Sequence, residues 1–265
     1  MPGFWPSTGC PFFVEVKGQP PFLFDTGQSD SLIWNAGQIG VSLKDVDTVI
    51  LSHSHYDHTG GLIPFVKKTK PKEVLVPRDF FDPKYKVNGI KREFIGNSFS
   101  KEELASQVER VTGVLDDLYE LRPGVFVATN IPAVTPYEGI SEPFFILKNG
   151  ALVRDDFRSE LVVVIMTPEG LLVMCGCAHA GIVNIVRHVS RLTGISRIRA
   201  VLGGTHLVHA SRARIQNTAI DLKTAGVESI GVSHCTGQQA ERQLAKVYGD
   251  RFFSNNTGTM VEFDL

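Results

Sequence analysis

"VILSHSHYDHTGGL", residues 49–62, decides how this chain is read. A run of β-branched and aliphatic residues gives way to six positions, His53 to His58, that hold three of the chain's eight histidines and an aspartate. His53 and His55 are two apart where a strand ends, so alternation points both imidazoles the same way. Asp57 and His58 follow as the chain turns, and Thr59-Gly60-Gly61 permits tight backbone geometry before "LIPFVKK" begins a helix. Imidazole and carboxylate are the ligand types that a zinc-like ion takes in a catalytic site. The staggered spacing suits two ions side by side, His53 and His55 on one, Asp57 and His58 on the other. The plain alternative is a polar loop that happens to be rich in histidine. Eight histidines in 265 residues make three within six positions improbable by chance, so the stretch reads as a metal site.

Composition agrees with an ordinary globular protein: 265 residues, 43% hydrophobic and 21% charged. A net charge of −1 gives no electrostatic case for a nucleic-acid backbone, so no nucleic-acid partner is expected. The opening "MPGFWPSTGCPFFVEV" has no basic n-region and no long apolar h-region, and no apolar run reaches bilayer length. A cytoplasmic protein without a membrane partner is the expectation. The four cysteines, Cys10, Cys175, Cys177 and Cys235, match neither a disulfide framework nor a Cys-x-x-Cys zinc module. Cys10 and Cys175 read as small buried apolar residues.

Outward from the quoted stretch the pattern is α/β. "PFFVEV" and "PFLFDTG" read as a hairpin about a Gly-Gln-Pro-Pro turn. "VDTVILS" and "KEVLVP" are strands, the first apolar on both sides and so covered on both faces. Between about 78 and 150 the pattern loosens. Inside it Ser100 and Glu103 form a capping box, with Leu104, Val108 and Val111 on one face of the helix expected to follow. "GVFVATNIP" leads out as a strand. "ELVVVIMTPEGLLVMCGC" is two strands about a Thr-Pro-Glu-Gly turn. Ile182, Ile185, Val186, Val189 and Leu192 make a helical stripe that stops at Gly194. "IRAVLGG", a helix marked by Ile215, Ala219 and Leu222, "VESIGVSH", a helix over "QQAERQLAKVYG" and a last strand "GTMVEF" complete the order. Both halves put strands first and strand–helix units after, which suggests two similar halves with helices outside packed sheets.

His-x-His-x-Asp-His after a hydrophobic strand, with "FLFDTG" upstream, resembles the metallo-β-lactamase superfamily over nearly the whole chain. The resemblance implies one domain over 1–265: a four-layer αββα sandwich, its active site along one edge between the sheets, with residues 78–150 as an insertion forming a pocket wall or lid. It implies that Asp25 of "FDTG" supports the metal loop from behind. It implies His179 and His234 as the fifth and sixth metal ligands. This chain departs from the family pattern twice. The usual Gly-His segment is replaced by "RDDFRSELVVV", with Asp156 and Glu160 but no histidine. "MCGCAHAG" puts Cys177 where a bridging aspartate usually stands, as a weaker candidate ligand or pocket thiol. "GCAHAGIVNIV", "GGTHL", "HCTG" and "NTG" are similar to a branch labelled 7,8-dihydropterin-6-yl-methyl-4-(β-D-ribofuranosyl)aminobenzene-5′-phosphate synthase-like. That branch tends to have a Gly-Glu-Ile-Pro-Arg segment where this chain reads "TNIPAVTPYE", with Val134 in place of the arginine.

Together these features make a metal-dependent hydrolase the first expectation. One or two divalent ions, zinc first with manganese or iron as alternatives, would lower the pKa of water from near 16 to about 7 and supply hydroxide. Asp57 would also orient that hydroxide, and His206 of "LGGTHL" would serve as general acid or donate to a substrate oxygen. The partner expected is a small molecule bearing phosphate. Phe80, Phe81, Tyr85, Phe94 and Phe99 of the looser region either stack on a flat ring or glue that region to the core, the second being the plainer reading. His188 and His209 read as surface or helix-end residues. The competing functions are the pterin transferase itself and, from another class, a metabolite-binding scaffold with a degenerate metal site.

Overall fold

The computed structural model describes Gly9 and residues 11–264, so Cys10 lies outside the described residues. In chain order, β1 (Phe12–Val14), β2 (Phe22–Phe24), α1 (Ser31–Gln38), β3 (Thr48–Ile50), α2 (Tyr56–Thr59), α3 (Leu62–Thr69) and β4 (Glu73–Pro77) come first. Next are β5 (Lys84–Asn88), β6 (Lys91–Phe94), α4 (Lys101–Ala105), β7 (Arg110–Val114), β8 (Leu118–Arg122), β9 (Val125–Ala128), β10 (Phe144–Lys148) and β11 (Ala151–Arg154). Then follow β12 (Val162–Thr167), β13 (Gly170–Cys175), α5 (Ile182–Thr193), β14 (Ile198–Gly203), α6 (Arg212–Thr224), β15 (Val227–Val232), α7 (Gln238–Tyr248) and β16 (Phe252–Ser254). The α/β class read from the sequence holds. The chain divides into two compact units, Met1–Val114 with Ile140–Ser159, and Leu115–Gly139 with Glu160–Leu265.

The first unit contains a five-stranded sheet of order β1-β2-β3-β4-β7. Its β1–β2 pair is the expected antiparallel hairpin, and the remaining pairs are parallel. Every residue of β2, β3 and β4 is buried, as strands covered on both faces require. Leu62, Phe65 and Val66 of α3 join Leu23, Val49, Leu51 and Val74 in one core cluster. The histidine stretch thus leaves the C-terminal end of a central, fully packed parallel strand, the end at which open α/β sheets bind ligands. A second, antiparallel sheet of order β11-β10-β5-β6 completes this unit.

The looser region supplies strands to three sheets: β5, β6 and β10 to the four-stranded one, β7 to the first, and β8 and β9 to the second unit's sheet. Ser100 does cap a helix, its Oγ accepting the Glu103 N–H at 3.1 Å. That helix ends at Ala105, so Val108 and Val111 do not continue its face. Val111 belongs to β7, which pairs in parallel with β4 over its whole length. That pairing overrides the helical spacing. Phe80 and Phe99 are buried in the core with Phe81 packed against them, which is the plainer of the two readings. Tyr85 packs edge-on to Phe94 at 5.6 Å.

The second unit is a seven-stranded sheet of order β16-β15-β14-β13-β12-β9-β8. β13 to β16 are mutually parallel, and α5, α6 and α7 are the crossovers that parallel neighbours need. Ile182, Ile185, Val186 and Val189 of α5 are buried as expected, and Gly194 ends the helix in a left-handed conformation, φ 71°. His188 corrects the expectation of a surface residue. It is buried, with Nε2 on the Thr129 carbonyl at 2.8 Å. His209 is exposed as expected, in the turn before α6. "GTMVEF" forms no strand; β16, before it, is the last strand among the described residues.

Candidate metal centre

In the first unit the imidazoles of His53, His55 and His58 are packed together. His53 and His55 ring centres are 4.6 Å apart, and those of His53 and His58 4.3 Å. All three histidines are buried, while Asp57 is partly exposed with a carboxylate oxygen 3.8 Å from His58 Nε2. Asp25 lies behind them, fully buried. Its Oδ1 accepts the Ser52 N–H at 2.7 Å, and its Oδ2 accepts the Ser52 hydroxyl and faces His58 Nδ1, both at 2.7 Å. This contact fixes the His58 ring so that Nε2 is turned toward Asp57, the orientation that a carboxylate behind a ligand imidazole produces. Asp25 holds a left-handed backbone, φ 60°, which places its carboxyl under the loop.

Gly60 and Gly61 are required by the same packing. A Cβ on Gly60 would strike the Gln28 carbonyl, and one on Gly61 the carbonyls of Thr26 and Ser29. "DTG" and "TGG" are therefore two halves of one tight crossing.

Two aromatics not anticipated from the sequence stand beside this group. Phe144 and Phe157 have ring centres 5.3 and 5.4 Å from that of His55. Phe157 has φ 51°, and Asp155 accepts its N–H at 3.0 Å. The same Asp155 and Asp79 both face the buried ammonium of Lys84 at 3.2 Å. Asp79 is held below the usual carboxylate range: burial pushes it up, but Lys84 and the Ser159 hydroxyl pull it further down. Asp155 is pushed up by burial, which Lys84 does not fully offset. A buried lysine between two carboxylates carries no local sequence signature, because β5 and the 155–159 turn meet only through the four-stranded sheet.

In the second unit, the C-terminal ends of β13, β14 and β15 carry the remaining candidates. Cys177, His179 and His206 have donor atoms within 4.8 Å of one another, as do Cys177, His234 and Cys235. His179 and His206 ring centres are 4.1 Å apart. Ala178, His206 and His234 all have positive φ, 55°, 48° and 53°. Such strain in non-glycine residues collects at functional sites, where surrounding structure over-determines it. Glu160 is fully buried and accepts the His179 and Ala180 N–H groups, each at 3.2 Å. Burial pushes its carboxyl up to about 7 against the pull of those two donors. Asp156, its neighbour in the same departure from the family pattern, is exposed and accepts the Arg158 N–H.

The donor chemistry fits a divalent ion of the zinc type: clustered imidazoles with a carboxylate in one unit, imidazoles with thiols in the other. Comparison with known proteins agrees. Residues 11–177 match the model of the "Metallo-beta-lactamase superfamily". The chain is 32% identical to a 7,8-dihydropterin-6-methyl-4-(β-D-ribofuranosyl)-aminobenzene-5′-phosphate synthase of Methanocaldococcus jannaschii, over 98% of this chain and 91% of that one. It is similar to the crystal structure of Tm1679, described as a metal-dependent hydrolase of the β-lactamase superfamily. That match has a TM-score of 0.81 and 28% identity, covering 95% of this chain and 94% of that one. Zn(2+)-bound PqqB from Methylobacterium extorquens shares the fold at a TM-score of 0.56 and 15% identity, over 96% of this chain and 87% of that one. With a family model spanning more than half of its length and a histidine loop braced by Asp25, this chain belongs to the metallo-β-lactamase superfamily.

Proposed function

We propose that this protein is a metal-dependent hydrolase of a small phosphate-bearing metabolite, with zinc as its metal. The observation that carries the reading is the buried group His53, His55 and His58 beside Asp57, with His58 locked by Asp25. In this reading His53, His55, Asp57, His58, His179 and His234 are the metal-holding residues, and Asp25 orients His58. The metal, when bound, supplies Lewis acidity and lowers the pKa of water to about 7. The chain's own groups do the rest. Asp57, partly exposed, holds and aims the attacking water through its carboxylate. His206, at the strained turn after β14, gives a proton to the departing oxygen. Phe144 and Phe157 keep bulk water from the His55 side. The similarity to a metal-dependent hydrolase at 28% identity supports this assignment.

A second reading has its own support: 32% identity over 98% of the chain to a 7,8-dihydropterin-6-methyl-4-(β-D-ribofuranosyl)-aminobenzene-5′-phosphate synthase. The same donors would then serve bond formation between two reactants. The two are separated by product analysis in water enriched in heavy oxygen. Zinc-loaded protein is offered phosphomonoesters, phosphodiesters and thioesters, and separately the pterin and ribofuranosylaminobenzene phosphate pair. Hydrolysis is expected to place one solvent oxygen in the product. A joined product without solvent oxygen, and no cleavage of any ester, would replace hydrolysis by the synthase reading.

A further inference from the structure

Three cysteines of the second unit are described, and they are not equivalent. Cys175 ends β13 inside the core, fully buried, and burial pushes its thiol well up. Cys177 and Cys235 instead stand among imidazoles. Within this unit the Cys177 sulfur is common to two triads of donor atoms, one with His179 and His206, the other with His234 and Cys235, each triad spanning no more than 4.8 Å.

The Cys235 sulfur is held in place by two backbone groups: it accepts the His206 N–H at 3.3 Å, and its S–H donates to the Cys177 carbonyl at 3.5 Å. Room for that sulfur is made by Gly204, where a Cβ would come within 2.6 Å of it. The strained His234 backbone starts the short 3-10 turn, His234–Thr236, that sets His234 and Cys235 side by side.

We propose that Cys177 and Cys235 are thiolate ligands of a soft or borderline divalent cation, Cys235 together with His234, and Cys177 with His179 as well as with that pair. This deepens the metal reading given above and rests on it. Each thiol gives its proton to solvent as the sulfur lone pair takes the cation, so uptake releases protons. Thiolate donors select zinc, cobalt or cadmium over manganese, magnesium and calcium, which prefer oxygen. The residue is assigned by neither the histidine motif nor its spacing. Sequence shows Cys235 only as the neighbour of His234.

Cobalt(II), titrated alone into metal-stripped full-length protein, is the probe. Bound cobalt is expected to give visible d–d bands and a near-ultraviolet sulfur-to-cobalt charge-transfer band. Cys177→Ser and Cys235→Ser should each remove about half of that band, the double variant all of it, and Cys175→Ser none. Cadmium NMR on the wild-type chain reads thiolate ligation directly, so the result does not depend on any variant folding. Visible bands without a charge-transfer band would overturn thiolate ligation and leave the hydrolase reading standing. A band unchanged in Cys235→Ser, or persisting in the double variant, would overturn it equally. Failure of the chain to take up cobalt at all would overturn both. A thiolate band in a protein that cleaves no phosphate ester would support the site and count against the hydrolase alone.

Discussion

The histidine loop of the first unit and the cysteine–histidine turns of the second both sit at the C-terminal ends of parallel strands, yet they are braced in different ways. In the first unit the carboxylates hold side chains as well as backbone: besides the Ser52 and Phe157 N–H groups, Asp25 holds the Ser52 hydroxyl and the His58 ring, and Asp79 and Asp155 hold the Lys84 ammonium. In the second unit a buried carboxylate holds backbone. Glu160 accepts the N–H groups of His179 and Ala180, and Glu138 accepts those of Val183 and Asn184 at 2.9 and 2.8 Å. The first device orients a ring, and so sets which nitrogen faces a ligand. The second sets the path of a turn, and so the place of whatever residue the turn carries. The departures from the family pattern at 156–160 and 177 fall in that second unit and at its border.

The largest effect should come from the side-chain brace. Lys84→Met leaves two buried carboxylates without their cation and is expected to cost about 3–5 kcal/mol in unfolding free energy, measured by denaturant titration. A loss below about 1 kcal/mol would mean that the first unit does not depend on its ion cluster. Asp25→Asn comes next. It keeps the shape but weakens the hold on His58, and metal affinity should fall by about 10–100-fold in a competition titration with little change in stability. Unchanged affinity would show that ring orientation is set elsewhere.

Glu138→Ala removes the acceptor for two N–H groups in the first turn of α5 and should cost about 1–2 kcal/mol, in the range of a lost helix cap. Because the turn carrying His179 runs into that helix, the cobalt spectrum should change as well. A pure stability loss would separate the two. The smallest effect is one of pH. Asp79 is held below its usual value of 3.8, so its stabilising contribution is present above that value and is lost as pH falls through the lowered one. Asp79→Asn should therefore flatten the acid limb of the stability curve below about pH 4. Asp155, pushed up in the same cluster, works in the opposite sense, so its Asn variant should not flatten that limb.

Much of this architecture could be read from local pattern. The histidine stretch, the strand before it and the α3 helix after it announce themselves because an apolar run, a donor cluster and two glycines follow one another. The α5 stripe and its Gly194 stop are equally local. What escaped is what depends on distant partners. "RVTGV" continues a helical spacing from the Ser100 cap, but β4 is waiting with a parallel edge and the stretch becomes β7. "KYKVN" and "KREF" look like polar loop until β10 and β11 arrive to complete their sheet. His188 was expected at the surface because nothing near it in sequence offers Thr129 as an acceptor. In the candidate site the ring-bearing motif was legible. Glu160, Glu138, Lys84, Phe144 and Phe157 were not read as its supports, since each acts on residues brought to it by the fold. Cys235 stood in plain view beside His234, and only the position of Cys177 across the sheet end gives it a chemical partner.

The measurement that tests the central claim most directly is metal content per chain, by elemental analysis of purified protein beside a His55→Ala control. About one to two equivalents of zinc in the wild type, reduced in a variant that remains folded by circular dichroism, is the expected result. A folded wild-type chain that holds no metal after reconstitution with zinc would contradict the account, and the packed imidazoles of residues 53–58 would then have to be explained as structure alone.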